Sequence, residues 1–143
     1  LAVPRAYILG LLVAEEADLR ALMNEDVDAL RAKALELLLD AWLDEEKPLG
    51  QDHVSRTDGL LAGLAGCSLP VGLLKKVMAF QEGNGRYDRA ENVLYDILAS
   101  TPEFAPDALQ FYRRLLLKPD AELIAGNLPR EEVLEGMAGV KSR

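Results

Sequence analysis

The only histidine of the chain, His53, lies in the segment QDHVSRTD, with Asp52, Ser55 and Asp58 close to it in sequence. A catalytic serine triad takes its members from separate parts of the fold, and a di-iron helical bundle needs a Glu-x-x-His pair on each of two helices. A single histidine excludes that bundle pattern. Because residues 45–59 are rich in proline, glycine and aspartate, they predict a long polar loop, with His53 as a solvated residue within it.

The segment HVSRTDGLLAG also resembles the His-x-x-Lys-Gly segment of histidine phosphotransfer proteins, although Arg56 and Thr57 replace the lysine and the glycine. Those proteins are acidic, helical and of similar size. The resemblance implies an alternative function, in which the chain is a phosphocarrier that uses His53.

Two acidic groups, EEAD at 15–18 and DEE at 44–46, are the other candidates for metal chemistry. Neither has the alternating oxygen ligands and central glycine of a calcium loop, so solvated helix faces are the favoured interpretation. Because no strand is predicted, the chain also lacks a glycine-rich phosphate-binding loop after a strand, which is the usual binding element for nucleotide cofactors. We therefore expect no catalytic residue, no metal, no cofactor and no enzymatic activity. The net charge of −8 argues against nucleic acid as a partner.

The elements that would position these residues are helices, because nearly every apolar cluster repeats at three and four residues. Half of the 143 residues are hydrophobic, which is enough for one continuous core. We expect a single all-α domain, residues 1–143, with about 6–8 helices. They are predicted at about 4–23, 25–46 (capped by Asn24), 57–66, 70–83 and 88–100, then after Thr101 with an interruption at Pro106, and in two short final segments.

The apolar run AYILGLLVA in the first helix has nine residues and is far shorter than the ~20 residues that span a bilayer. We interpret this helix as a core or subunit-interface helix, through which the chain forms a homo-oligomer. No membrane partner is expected. A single cysteine, Cys67, suits a reducing compartment, so the predicted location is the cytoplasm.

The segment NGRYDRAENVLYDILASTP carries Gly85, Tyr87, Ala90 and Pro102 at the spacing of a helical hairpin repeat. It resembles the second half of a tetratricopeptide repeat, a 34-residue unit that would cover about residues 71–104 here. The resemblance implies stacked helical hairpins. The whole chain also resembles an uncharacterised family of small bacterial helical proteins, and that resemblance implies no function.

Tetratricopeptide proteins bind peptides in a groove, so the resemblance implies a non-catalytic interaction or scaffold protein. On its pattern Lys75 and Arg113 take groove-facing positions in two consecutive first helices, with Lys76 beside them. They would hold the acidic or carboxyl end of a protein or peptide partner. Phe80 and Tyr112 would supply apolar contact.

Overall fold

The computed structural model describes residues 5–23, 25–44 and 50–143, and within these ranges it contains helices and no strand. The elements in chain order are α1 (Arg5–Leu22), α2 (Asp28–Asp44), α3 (Gln51–Gly63), α4 (Val71–Gly83), α5 (Tyr87–Ser100), a 3-10 helix (Pro102–Phe104), α6 (Ala105–Leu116), α7 (Asp120–Ala125) and α8 (Arg130–Lys141). The predicted all-α class is confirmed.

The chain divides into two compact units, residues 1–76 and 77–143. In the first unit α2 contacts both α1 and α3. Its inner side chains are fully or almost fully buried, namely Ala34, Leu35, Leu38, Leu39 and Ala41. A helix that is apolar over most of its circumference must be covered on two sides, and α1 and α3 cover α2 in this way.

The prediction of one continuous domain stays a prediction.

The contact between α1 and α2 is made by small residues of α1. Gly10 and Ala17 both face α2 and are buried. A Cβ atom on Gly10 would lie 2.7 Å from Cδ2 of Leu38, so only glycine allows this approach. Because small residues occupy the inner face of α1, its large apolar residues lie on the other faces.

The boundaries of α2 differ from the predicted range of 25–46. The helix begins at Asp28, whose backbone N–H donates to Oδ1 of Asp26 at 3.1 Å. The Asp26 carboxylate therefore accepts a hydrogen bond from a backbone N–H group that has no partner within the helix, as a capping side chain does. Asn24, the predicted cap, lies outside the described residues.

The predicted loop at residues 45–59 is wrong from Gln51 onward, because α3 begins there, directly after Gly50 with its φ of 90°. The buried face of this helix is formed by His53, Thr57, Leu60 and Leu64. Its first two members are polar. The Thr57 hydroxyl donates to the carbonyl of His53 at 2.8 Å, so the apolar periodicity that would have indicated the helix is missing from its first two turns.

The core of the second unit is rich in aromatic residues. Its largest fully buried side chains are Phe80, Tyr87, Phe111, Tyr112, Leu94, Ile97, Leu98, Leu115 and Leu123. Two glycines lie against aromatic rings. A Cβ on Gly136 would lie 2.5 Å from the Tyr112 hydroxyl oxygen, and one on Gly126 would overlap the Tyr87 ring. These contacts fix α8 against α6, and the turn after α7 against the start of α5.

Asp88 and Glu91 do not form the capping box that their spacing suggests, since no side chain caps α5. The Asp88 carboxylate instead accepts from Nδ2 of Asn127 at 3.0 Å, and its backbone N–H donates to the carbonyl of Gly126 at 3.2 Å. The start of α5 is thus satisfied by the turn between α7 and α8. A long-range contact replaces the local one.

Arg130, the first residue of α8, stabilises the turn in which the chain reverses direction between α6 and α7. Its guanidinium donates to the carbonyls of Leu116 at 3.1 Å and Lys118 at 2.7 Å, and it pairs with Asp120. The end of a helix leaves carbonyl groups without partners inside the helix. One side chain from a later helix satisfies the last carbonyl of α6 and a carbonyl of the segment that follows it.

Candidate interaction surface

The most prominent exposed feature of the described residues is a row of large apolar side chains on α1. We call it the α1 row, and it consists of Ile8, Leu9, Leu12, Leu19 and Leu22, together with Met23 in the turn directly after the helix. Leu12, Leu19 and Leu22 are 56%, 65% and 83% exposed. At 100° per residue the row covers the side of α1 opposite to Gly10 and Ala17, which face α2.

Charged residues interrupt and border the α1 row. Glu15 and Glu16 occupy the turn between Leu12 and Leu19, and both are exposed. Arg20 pairs with Glu16 at 2.7 Å and reaches Glu25 at 3.9 Å. The row therefore consists of two apolar groups, one at residues 8–12 and one at residues 19–23, separated by a charged turn.

The predicted basic site has its members in different environments. Lys75 and Arg113 are exposed, the first in residues 1–76 and the second in residues 77–143. Lys76 is half-buried and its Nζ lies 2.7 Å from Oδ1 of Asp40, a hydrogen bond that raises the pKa of the lysine. Phe80 and Tyr112 are fully buried, so they supply no surface for a partner. The carboxylate-binding groove stays a prediction.

His53 is fully buried, and the prediction of a solvated histidine is therefore wrong. Its Nε2 lies 2.8 Å from the carbonyl of Leu38, so the proton must be on Nε2 and the ring donates. Tyr7 packs against the ring with 5.1 Å between centroids, and Nδ1 has no partner. Burial lowers the pKa of His53, because the interior disfavours the charged imidazolium.

The sequence did not predict a half-buried hydrogen-bond cluster that the structure shows in the second unit. The Tyr112 hydroxyl donates to Oε2 of Glu91 at 2.7 Å and lies 3.4 Å from the Tyr95 hydroxyl. Burial raises the pKa of Glu91, and the bond from Tyr112 opposes that rise. Burial also raises the pKa of Tyr112, so the hydroxyl stays protonated and acts as the donor.

This cluster borders a pocket of about 360 Å³ between α5 and α8. Its lining consists of Glu91, Tyr95, Glu132, Glu135, Gly136, Gly139, Val140 and Arg143. The lining holds carboxyl groups and a tyrosine hydroxyl, but no serine, cysteine or histidine side chain. The cluster therefore has the features of a structural hydrogen-bond network.

A second pocket, of about 450 Å³, has charged residues that pair with each other. Nε and Nη2 of Arg114 each donate to Glu82 at 2.8 Å, in a two-bond arrangement that raises the pKa of the arginine. Lys118 lies 3.7 Å from Glu122. The internal pairing uses the groups that would otherwise bind a charged ligand.

The sequence predicted the α1 row in part and the hydrogen-bond cluster hardly at all. The run AYILGLLVA indicated a core or interface helix, but Gly10 and Ala17 decide which side is exposed. For the half-buried cluster the signal was Glu91 four residues before Tyr95, a spacing that brings two side chains together on one helix face. Tyr112 is 17 residues further along the chain from Tyr95, and no local pattern points to it.

In residues 5–23, 25–44 and 50–143, no helix combines the length and the apolar character needed to cross a bilayer. Over the same ranges, no three His, Cys, Asp or Glu side chains are grouped as ligands for a metal ion. These two findings concern spanning helices and clustered ligands alone.

The chain matches no curated protein and no solved structure. The tetratricopeptide resemblance is not confirmed by these comparisons. Residues 8–143, which include all of α2 to α8 and most of α1, match a family of unknown function, DUF6483. Because the match extends over almost the whole chain, the protein belongs to this uncharacterised family.

Proposed function

We propose that the protein is a non-catalytic interaction or scaffold protein whose binding surface is the α1 row. The observation that carries the proposal is the exposure of six large apolar side chains on one side of a single helix. Exposed apolar side chains grouped in this way mark a site of association, because their exposure to water is unfavourable. The tetratricopeptide resemblance, although it concerns residues 71–104, supports the same class of function.

Charge favours a protein over a lipid surface as the partner of this row. Helices that lie on membranes carry lysine and arginine on the polar face, which attract anionic lipid. The exposed charges beside the α1 row include Glu15, Glu16 and Asp18, and the whole chain carries −8. With Arg5 and Arg20 against Glu15, Glu16 and Asp18, α1 lacks the strongly basic polar face that attracts an anionic membrane.

The phosphocarrier alternative is not proposed. Phosphoryl transfer to histidine needs a ring nitrogen that a donor can reach. His53 is fully buried and its Nε2 is bonded to the carbonyl of Leu38. Neither nitrogen is open to solvent.

The test compares proteins retrieved from a host lysate by three forms of the chain: the unmodified protein, a Leu12→Glu, Leu19→Glu variant, and a Leu117→Glu control. Leu117 is 87% exposed and lies in the second unit. Since all three leucines are more than half exposed, helicity by circular dichroism should be unchanged. We expect the double variant to lose the partners that the control retains. Equal retrieval by all three forms would refute the α1 row as the binding surface.

A further inference from the structure

The α1 row is symmetric about one point of the helix, midway between Glu15 and Glu16. Ile8 lies as far before this point as Met23 lies after it. Leu9 corresponds in the same way to Leu22, and Leu12 to Leu19. All six side chains are exposed. A two-fold axis through this point would therefore place Leu12 of one α1 opposite Leu19 of a second, and would bring Ile8 level with Met23 along the helix axis.

We propose that two copies of the chain pair through their α1 rows in antiparallel orientation, with Leu12 of each copy opposite Leu19 of the other. The inference rests on the proposed function, and it identifies the partner as a second copy of this chain. A two-fold interface uses one surface twice, so that surface must be complementary to itself. The symmetry of the α1 row meets that requirement.

Charge selects the antiparallel orientation. Arg5, at the start of α1, is exposed and corresponds through the same central point to Asp26. Glu25, beside Asp26, is exposed as well. An antiparallel pair brings the basic start of each helix to the acidic segment that follows the other. A parallel pair would bring Arg5 to Arg5 and the acidic segment to its own copy, which is unfavourable.

The centre of the pair opposes association. The two-fold axis passes between Glu15 and Glu16, so both copies of Glu15 lie on one side of it and both copies of Glu16 on the other. Arg20 partly neutralises Glu16 through their 2.7 Å contact. Like charges that face each other across an interface weaken it. Glu15→Gln should therefore strengthen the pair.

The size of the row predicts weak association. Fifteen residue steps at 1.5 Å extend about 22 Å, and a helix face is about 10 Å wide. A stable interface buries about 800 Å² on each partner, which is much more than this patch provides. We expect a concentration-dependent dimer with a micromolar dissociation constant.

Sedimentation equilibrium of the full chain tests the association. We expect a monomer–dimer equilibrium in which Leu12→Glu raises the dissociation constant at least about tenfold and Glu15→Gln lowers it about threefold. Leu117→Glu, the control, should leave it unchanged. A monomer at all accessible concentrations, or a dimer that Leu12→Glu does not weaken, would overturn the proposal.

Cross-linking tests the orientation. In a Cys67→Ser background, a Leu12→Cys chain and a Leu19→Cys chain are mixed and mildly oxidised. The antiparallel register predicts a disulfide between the two different chains. Efficient disulfides between two Leu12→Cys chains would overturn it. If the chain is monomeric but the Leu12→Glu, Leu19→Glu variant loses lysate partners, self-pairing is refuted and the proposed function is left intact. If these substitutions weaken neither a dimer nor the retrieval of lysate partners, both proposals are refuted.

Discussion

Two glycines on α8 provide a matched test of packing in the second unit. A Cβ at Gly136 would lie 2.5 to 2.7 Å from the hydroxyl oxygen and two ring carbons of Tyr112, whereas one at Gly139 would meet no atom within 4 Å. Tyr112 is fully buried and its hydroxyl is bonded to Glu91, so the ring has little freedom to move. Gly136→Ala and Gly139→Ala therefore change the same helix with opposite consequences.

Replacing glycine by alanine within a helix stabilises by about 0.5–1 kcal/mol, because the unfolded chain loses freedom. Gly139→Ala should show this gain, reduced because the residue lies in the last turn of α8. Overpacking a filled core costs about 1–3 kcal/mol. Gly136→Ala should therefore lower the free energy of unfolding relative to Gly139→Ala by about 1–3 kcal/mol.

The assay is urea denaturation followed by circular dichroism on the two variants and the unmodified chain. The difference between the variants is the informative quantity, because the helix propensity of alanine contributes to both. Equal stability of the two variants, or a more stable Gly136→Ala, would refute the close contact between Gly136 and Tyr112.

Three further predictions concern buried groups. Tyr112→Phe should lower the free energy of unfolding by about 1.5–3 kcal/mol, because the carboxylate of Glu91 loses a charge-assisted hydrogen bond. A double-mutant cycle with Glu91→Gln measures the coupling between the two side chains, and additive effects of the two substitutions would contradict the prediction. The folded-state pKa of His53 lies below its ordinary value of 6.5, so the unfolded state takes up the proton first as the pH falls. The free energy of unfolding, measured by denaturation at a series of pH values, should therefore be highest above pH 6.5 and should fall progressively below it. The His53→Gln variant should not show this loss. Ala90→Arg should cost several kcal/mol in the melting transition, because Ala90 is fully buried, whereas Ala99→Arg, at an exposed position of the same helix, should be tolerated.

The sequence predicted features that depend on long apolar periodicity. The nearly all-round apolar surface of α2 required cover on two sides, and α1 and α3 provide it. The final helices α7 and α8 were also expected, since KPD and GNLPREE each place a proline and acidic residues where a helix begins. These local signals act within one turn and are readable without tertiary contacts.

Other features could not be read in this way. The first half of α3 was missed because His53 and Thr57 are buried although they are polar, and each donates a hydrogen bond to a backbone carbonyl. Asp88 and Glu91 have capping-box spacing but bond to Asn127 and Tyr112. In each case a contact with a distant part of the chain, or a side-chain bond to the backbone, overrides the local pattern.

The exposure of the α1 row follows from the way α1 packs on α2. A run that is apolar nearly all round does not indicate which side faces the core. Gly10 decides it in α1, because only that side allows the helix to approach α2 closely. Candidate surface residues are therefore the least predictable part of this chain, and the core positions of the long helices are the most predictable.

The position of Arg130 has a consequence for folding during synthesis. The ribosome makes the chain from its N-terminus, so the carbonyls of Leu116 and Lys118 are complete before the arginine that satisfies them. Until α8 begins, these two carbonyls lack this donor, and Asp120 lacks its guanidinium partner. The reversal between α6 and α7 therefore gains its fixed geometry late, after the first residue of α8 has been released from the ribosome. A chain truncated before Arg130 and released from the ribosome should be cut by proteases at this reversal.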